Sequence, residues 1–323
     1  MKSWWIRSEG GRTVFERREV PVPQPKAGEL LVRVRAASLN RGEILASISL
    51  HKADVPHPGG GDCAGEVQAV GAGVTAFKPG DRVLGRARGS FAEFVALSAE
   101  QAALVPPRLT WEQAAAVPVV SVTAYEALCQ YGRLKSGETL LVGGAASGVG
   151  VVCVQAGKYL GATVIGVSRS GEKLEKLKAL GLDIGIQAHG AGFAARVLEA
   201  TGGKGVNLAV NLVGGGIFSD CVRSLANQGR LAIVGYVDNR LQAEIDLEAV
   251  HGKRLQIFGV SNALLPAAQR AEAMRGFVRD LLPGFADGRI TPVIDRVFPL
   301  DELPAAKAYV ETNAQLGKVV VTV

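Results

Sequence analysis

The sequence predicts an α/β chain of two domains, a β-rich barrel-like unit and a doubly wound parallel sheet. Three observations predict it. At 323 residues and 48% hydrophobic content, the chain exceeds the roughly 250 residues at which a single core usually divides. Residues 1–118 carry short valine-rich alternations broken by Gly and Pro, which suit a small twisted β unit better than helices. From there to about residue 262, strand-like and helix-like runs alternate, the mark of a parallel sheet.

Taken in order, LLVRVRAASL, GEVQAVGAGVTAFKPGDRVLG and SFAEFVALS read as strands of the first domain. Within them KPGD is a turn, because Pro79 fixes its own φ and Gly80 relieves the steric limit. From Trp111, WEQAAAVPVVSVTAYEALCQYG reads as helical with a proline interruption. Six strands follow, at TLLVGG, TVIGVSR, IGIQAHG, VNLAVNLV, RLAIVGY and LQIFGVSN. The helices between them are VGVVCVQAGKYLG, GEKLEKLKALG, FAARVLEATG and FSDCVRSLANQG. Six strands are enough for a complete doubly wound sheet. After Asn262 one long helix is expected around PAAQRAEAMRGFVRDLLPGFADG, then a tail ending in GKVVVTV. The tail is expected to return to the first domain, so the divisions fall at 1–118, 119–262 and 263–323.

Composition narrows the function. The net charge of +6 comes from 36 basic and 30 acidic residues spread along the chain, without the dense run of a nucleic-acid arm or a membrane-surface patch. Cys63, Cys129, Cys153 and Cys221 are widely separated and show neither a disulfide framework nor a metal knuckle. MKSWWIRSEGG lacks the apolar region of a secretion signal, and no run of about 18 apolar residues occurs. A soluble cytoplasmic protein, without nucleic acid or membrane partners, is the expectation.

The strongest chemical signal is TLLVGGAASGVGVVCVQAGKYLGATVIGVSR, where an apolar strand meets a small-residue turn that opens into a helix. Ala145, Ser147 and Gly150 take the three fingerprint positions of a dinucleotide site, letting the chain turn tightly and bringing backbone N–H groups to a pyrophosphate. The helix N-terminus favours that anion. At the end of the next strand an acidic residue would hold the ribose hydroxyls of NAD, but Ser168, Arg169 and the nearby Lys173 stand there. A hydroxyl and two cations suit a 2′-phosphate, so NADPH is expected.

These residues resemble the medium-chain dehydrogenase/reductase superfamily, in its zinc-independent quinone oxidoreductase (zeta-crystallin-like) branch, over nearly the whole chain. The run from Gly137 through Gly148 and Gly150 to Gln155 and Lys158 is similar to the branch signature, with Ser147 replacing a usual glycine. GEVQAVGAGVTAFKPGDRVLG, GSFAEFVALSAE, AAAVPVVSVTAYEAL and GKVVVTV follow the family's order. The resemblance implies a GroES-like catalytic domain built from both chain ends around a central Rossmann domain, with the active site in the cleft between them. It also implies a homodimer, with RLQIFGVSN as the sheet-edge strand that pairs across a two-fold axis.

By the same resemblance, Ala146, Ser147, Gly148 and Val149 face the pyrophosphate, and Ser168, Arg169 and Lys173 the ribose phosphate. Asn211, Val213, Val234, Gly235, Tyr236, Phe258, Gly259 and Val260 surround the nicotinamide, with Thr123 supporting the cofactor. A tyrosine often follows the third strand in NADPH-using members, but Ala188 and His189 stand in that region.

Zinc-dependent relatives place a Cys in the segment matching SLNRGE and a His-Glu pair in the segment matching PGGGDCAG. Asn40, Gly61 and Asp62 stand there instead, and a catalytic zinc needs three protein ligands. The four-Cys lobe is missing, and His51, His57, His189 and His251 are not at ligand spacings. No metal is expected. Hydride transfer then depends on positioning and on hydrogen bonds to the charge developing on substrate oxygen. Asn40, matching a recurrent family asparagine, is the catalytic candidate, with a loop-capping turn residue as the alternative. Glu43, Asp62, Tyr125 and solvent are the candidate proton sources. The expected activity is NADPH-dependent reduction of a quinone or related conjugated carbonyl. The tyrosines that several quinone reductases place after the asparagine are absent from ILASISLHKADVPH. Reduction of C=C in an enone, enal or enoyl-thioester is therefore an alternative, and a non-catalytic NADPH-binding structural or RNA-binding protein is another.

Overall fold

The computed structural model describes all residues except 11, 45–54 and 262–263. His51, most of ILASISLHKADVPH and the division at Asn262 lie outside the described residues. The chain forms two compact units, the first from Met1–Val122, Leu265–Ala286 and Pro292–Val323, the second from Thr123–Leu264 and Asp287–Thr291.

In the first unit, alternation along Glu29–Ser38 turns Leu30, Val32 and Val34 inward, and this strand becomes the centre of a sheet that is antiparallel except where Ile294–Pro299 runs parallel to Lys318–Thr322. The sheet order is Ile294–Pro299, Lys318–Thr322, Glu29–Ser38, Asp62–Val70, Arg82–Arg86 and Ala102–Leu104, with Phe94–Ser98 also paired to Glu29–Ser38. Register decides what gathers at one end. Asp62 pairs with Ser38, and Val320 pairs with Ser38 from the other side. Two residues further along, Lys318 therefore comes to the level of Asn40. The chain's last strand thus sits beside a strand from its first forty residues.

The second unit is the expected doubly wound sheet. Six parallel strands lie in the order Ile184–Gln187, Thr163–Ser168, Thr139–Gly143, Val206–Asn211, Leu225–Ile233 and Gln256–Gly259. Leu141, Ile165, Ala209 and Leu231 fill its core, as near-continuous apolar strands do when both faces are covered. Helix Gly148–Tyr159 buries Val151, Val152 and Val154.

Two helix expectations are corrected. The helix read through FSDCVRSLANQG ends at Arg223, because Leu225 is fully buried and pairs with Val206 in the sheet. The helix read through PAAQRAEAMRGFVRDLLPGFADG is two, Ala267–Asp280 and Leu282–Asp287. Pro283 has no N–H to continue the first, and is accepted in the opening turn of the second. No helix among the described residues is long and apolar enough to cross a membrane.

Candidate active site

The turn between strand Thr139–Gly143 and helix Gly148–Tyr159 is built by backbone hydrogen bonds, two of them to the neighbouring strand, and by one hydroxyl. Gly144 and Ala145 N–H both donate to Val167 O at 3.0 Å, tying the turn to the neighbouring strand. Ser147 caps the helix: its Oγ accepts from Gly150 N at 3.1 Å and donates to Gly144 O at 2.8 Å. Its hydroxyl is therefore a structural element of the turn. A Cβ on Gly150 would lie 2.7 Å from Ala145 O and closer still to Gly144 O, so only glycine lets helix and turn approach this closely. The first-turn N–H groups of Gly148 and Val149 precede any possible acceptor within the helix. With the helix dipole they form an anion site, which fits a pyrophosphate.

At the end of strand Thr163–Ser168, Ser168 Oγ accepts from Ser170 N at 3.3 Å. Arg169 is exposed and Lys173 half-buried. Ser170 caps the helix that carries Lys173. The one carboxylate nearby in sequence, Glu172 in the first turn of that helix, pairs with Lys176 Nζ at 2.7 Å.

The residues expected around the nicotinamide stand at or just beyond the carboxyl ends of three adjacent strands, where ligands of such sheets bind. Asn211 is 1% exposed, and its amide is committed to its own turn. Nδ2 donates to Gly214 O at 2.9 Å, while Oδ1 accepts from Val213 N at 2.9 Å and Gly214 N at 3.0 Å. Its carbonyl oxygen accepts from the N–H groups of Val234 and Gly235. Tyr236 is half-buried. Phe258 and Gly259 lie on the edge strand, the Phe258 ring 6.2 Å from that of Tyr131, and Val260 N donates to Ile233 O. Thr123 is 7% exposed in helix Pro118–Tyr125.

Asn40 lies in the first unit, inside a polar network that sheet register assembles. Its Nδ2 donates to Glu43 Oε1 at 3.0 Å and to Asp62 Oδ2 at 2.8 Å, and its Oδ1 accepts from Lys318 Nζ at 2.6 Å. Asp62 is fully buried. Its Oδ2 also accepts from Ser38 Oγ at 2.8 Å and lies 3.4 Å from Lys318 Nζ, and its Oδ1 accepts from Val119 N at 2.7 Å, capping helix Pro118–Tyr125. Every partner of Asp62 is a donor, as an acceptor-only carboxylate requires. Glu43 is half-buried as a residue, but its carboxyl is enclosed. Burial, together with the Asp62 charge, pushes it up to about 8, against the opposing pull of Lys318, Asn40 and Arg86.

Comparison with known proteins matches two stretches of the chain to family models. Residues 148–277 match the family model described as zinc-binding dehydrogenase, and residues 26–107 the alcohol dehydrogenase GroES-like domain. The chain is 31% identical to rat quinone oxidoreductase (Rattus norvegicus), over 96% of its own length and 94% of the relative's. The chain belongs to the medium-chain dehydrogenase/reductase superfamily. It is 28% identical to acryloyl-coenzyme A reductase of Metallosphaera sedula, over 97% of its own length and 98% of the relative's. It is also 33% identical, over 99% of its length, to the spectinabilin polyketide synthase system protein NorB of Streptomyces orinoci, of which it spans 14%. Among solved structures, a mycobacterial protein complexed with NADPH superposes with a TM-score of 0.89 at 29% identity, covering all of both chains.

The superfamily's zinc does not fit the described residues. No group of three His, Cys, Asp or Glu able to hold a metal occurs among the described residues. At the one matching carboxylate, Asp62, the Lys318 ammonium already supplies the cation. His189 and His251 are exposed on the other unit.

Lys318, which opens the closing segment KVVVTV, joins this network although no motif in the sequence singles it out. Its signal is its place: a lysine beginning an apolar strand is buried only if paired, and here it is 5% exposed.

Proposed function

We propose that this superfamily member is a zinc-independent, NADPH-dependent reductase that passes hydride to a quinone or a related conjugated carbonyl. The observation that carries the reading is the close approach at Gly150, which leaves an open helix N-terminus beside a strand end bearing Arg169 and Lys173 instead of an acid. NADPH, when bound, supplies the hydride. The N–H groups of Gly148 and Val149, with the turn at Ala146 and Ser147, hold its pyrophosphate. Ser168, Arg169 and Lys173 take the 2′-phosphate, and the strand ends from Asn211 to Val260 shape the nicotinamide pocket, with Thr123 in support.

In the catalytic domain, Asn40 has both N–H donors held by Glu43 and Asp62, so it offers a ligand the second lone pair of Oδ1, which suits a carboxamide N–H and not the carbonyl oxygen of a quinone or enone. A second reading, reduction of C=C in an enoyl-thioester or enone, is favoured by the full-length similarity to acryloyl-coenzyme A reductase. The edge strand Gln256–Gly259, with Ile257 exposed, supports a homodimer paired through that strand. A monomeric mass at micromolar concentration would remove it.

The test is titration with NADPH and NADH by nicotinamide fluorescence, then addition of 1,4-benzoquinone, 9,10-phenanthrenequinone and a small enone. NADPH is expected to bind more tightly, and oxidation by one acceptor class chooses between the two readings. If neither nucleotide binds, the reductase reading is wrong.

A further inference from the structure

Two carboxyls and one ammonium meet in the buried network of the first unit. Lys318 Nζ donates to Leu39 O at 2.9 Å and Asn40 Oδ1 at 2.6 Å, and lies 3.4 Å from Asp62 Oδ2, which uses its three N–H bonds. Asp62 is the carboxylate this ammonium balances. Glu43 has no such counter-charge at bonding distance among the described residues. Its Oε1 accepts from the Asn40 amide, and its enclosed Oε2 has no hydrogen-bond partner among the described residues. Charges face it from three strands: Asp62 in Asp62–Val70, Lys318 in Lys318–Thr322 and Arg86 in Arg82–Arg86. On its own short helix, Arg41 turns to Asn313 and Val310 O instead. The carboxyl fills a hollow left by a missing side chain, since a Cβ on Gly61 would collide with Glu43 Oε1 and lie 2.9 Å from Cδ.

We propose that Glu43 works as a neutral carboxylic acid that positions the Asn40 amide, fixing its N–H groups toward the network and turning Oδ1 to Lys318. The proposal deepens the reductase reading and rests on it only insofar as Asn40 serves the reaction. Ionising Glu43 would place a second negative charge beside Asp62. The two carboxylates would compete for Lys318 and draw it from Asn40 Oδ1, so the amide would lose its orientation. Enclosure and the Asp62 charge set this change at about pH 8.

The experiment measures kcat and KM against pH with saturating NADPH for the wild type, Glu43→Ala, Glu43→Gln and Gly61→Ala. Wild-type kcat is expected to fall about tenfold per pH unit above that point. Glu43→Ala loses about tenfold or more at neutral pH, the scale of one unmade buried hydrogen bond, with NADPH affinity retained. Glu43→Gln, which imitates the neutral acid, rescues kcat relative to Glu43→Ala and lacks the alkaline limb. Gly61→Ala, which expels the carboxyl from its hollow, behaves like Glu43→Ala. An alkaline limb that persists in Glu43→Gln overturns the proposal. So does failure of Glu43→Gln to rescue, since Glu43 would then give up its own proton. Infrared difference spectra between the wild type and Glu43→Gln provide a readout independent of turnover. They should contain a neutral carboxylic acid carbonyl band at pH 7 that fades on the alkaline side. Absence of that band defeats the proposal even if every acceptor is reduced, whereas the band without turnover defeats only the reductase reading.

Discussion

At the scale of single residues, Gly150, Glu43 and Lys318 are held by close packing and buried charge. A methyl group at 150 has no space against the carbonyl oxygens of Gly144 and Ala145, and neither oxygen belongs to a side chain that could swing away. Gly150→Ala must therefore lift the helix from its turn. NADPH affinity is expected to fall at least about tenfold, the cost of a few unmade hydrogen bonds to the pyrophosphate, while far-ultraviolet circular dichroism stays close to wild type. An unaltered fluorescence titration would remove the pyrophosphate from this turn. For Glu43 the sign of the pH effect follows from linkage. Its carboxyl is raised from 4.5 to about 8 in the folded protein, so between those values the unfolded chain releases a proton that the folded chain keeps. The stabilisation it gives is complete below pH 4.5, shrinks as pH rises through that window and is gone above about 8. Melting temperatures of the wild type and Glu43→Gln should therefore diverge in favour of the variant between pH 5 and pH 8, and parallel curves would refute the shift. Lys318→Met leaves Asp62 buried without its cation, at a cost of about 3–5 kcal/mol measurable by urea unfolding.

Elements were read from the sequence where the deciding interactions are local. The strand, turn and helix from Thr139 to Tyr159 declare themselves through an apolar run, small residues and a helical repeat, and the backbone hydrogen bonds of the turn and helix close within a few residues apart from the tie to Val167, while the strand itself pairs with Thr163–Val167 and Leu208–Asn211. Ser147 is the test of that unit. Removing its Oγ deletes both the N-cap bond to Gly150 and the bond to Gly144, so Ser147→Ala is expected to cost about 1 kcal/mol and to weaken NADPH binding as the turn loosens. If thermal stability and affinity both stay at wild-type values, the cap is dispensable. Boundaries set by distant partners were not legible. Leu225 leaves the expected helix because Val206 needs a neighbour in the sheet. The Asn40 network was the hardest to foresee, since Lys318 lies 278 residues from Asn40 and 256 from Asp62. Only the register of three antiparallel strands brings them together. Asn40 and Asp62 could be singled out from the sequence by residue type, but their full commitment to one another could not.

For the molecule as a whole, the consequence of having two units is that a ligand of one need not stabilise the other equally. A ligand bound only to the native form adds RT ln(1 + [L]/Kd), about 2.7 kcal/mol at roughly a hundred times Kd. A chain of two units need not unfold in one step. Calorimetry with NADPH should raise the transition of the unit formed by Thr123–Leu264 and Asp287–Thr291, and NADH should raise it less. The difference belongs to the 2′-phosphate, whose proposed partners are the exposed Arg169 and the half-buried Lys173. Charges this accessible are screened over about 10 Å at 0.1 M salt and about 3 Å at 1 M. The advantage of NADPH should therefore shrink with added salt while a common shift from the pyrophosphate persists. In the Arg169→Ala, Lys173→Ala double variant the two nucleotides should give the same shift at low salt. Equal shifts in the wild type at low salt would instead mean that the 2′-phosphate points away from this strand end, and the cofactor preference argued from Ser168, Arg169 and Lys173 would fall while the pyrophosphate site at Gly150 stood.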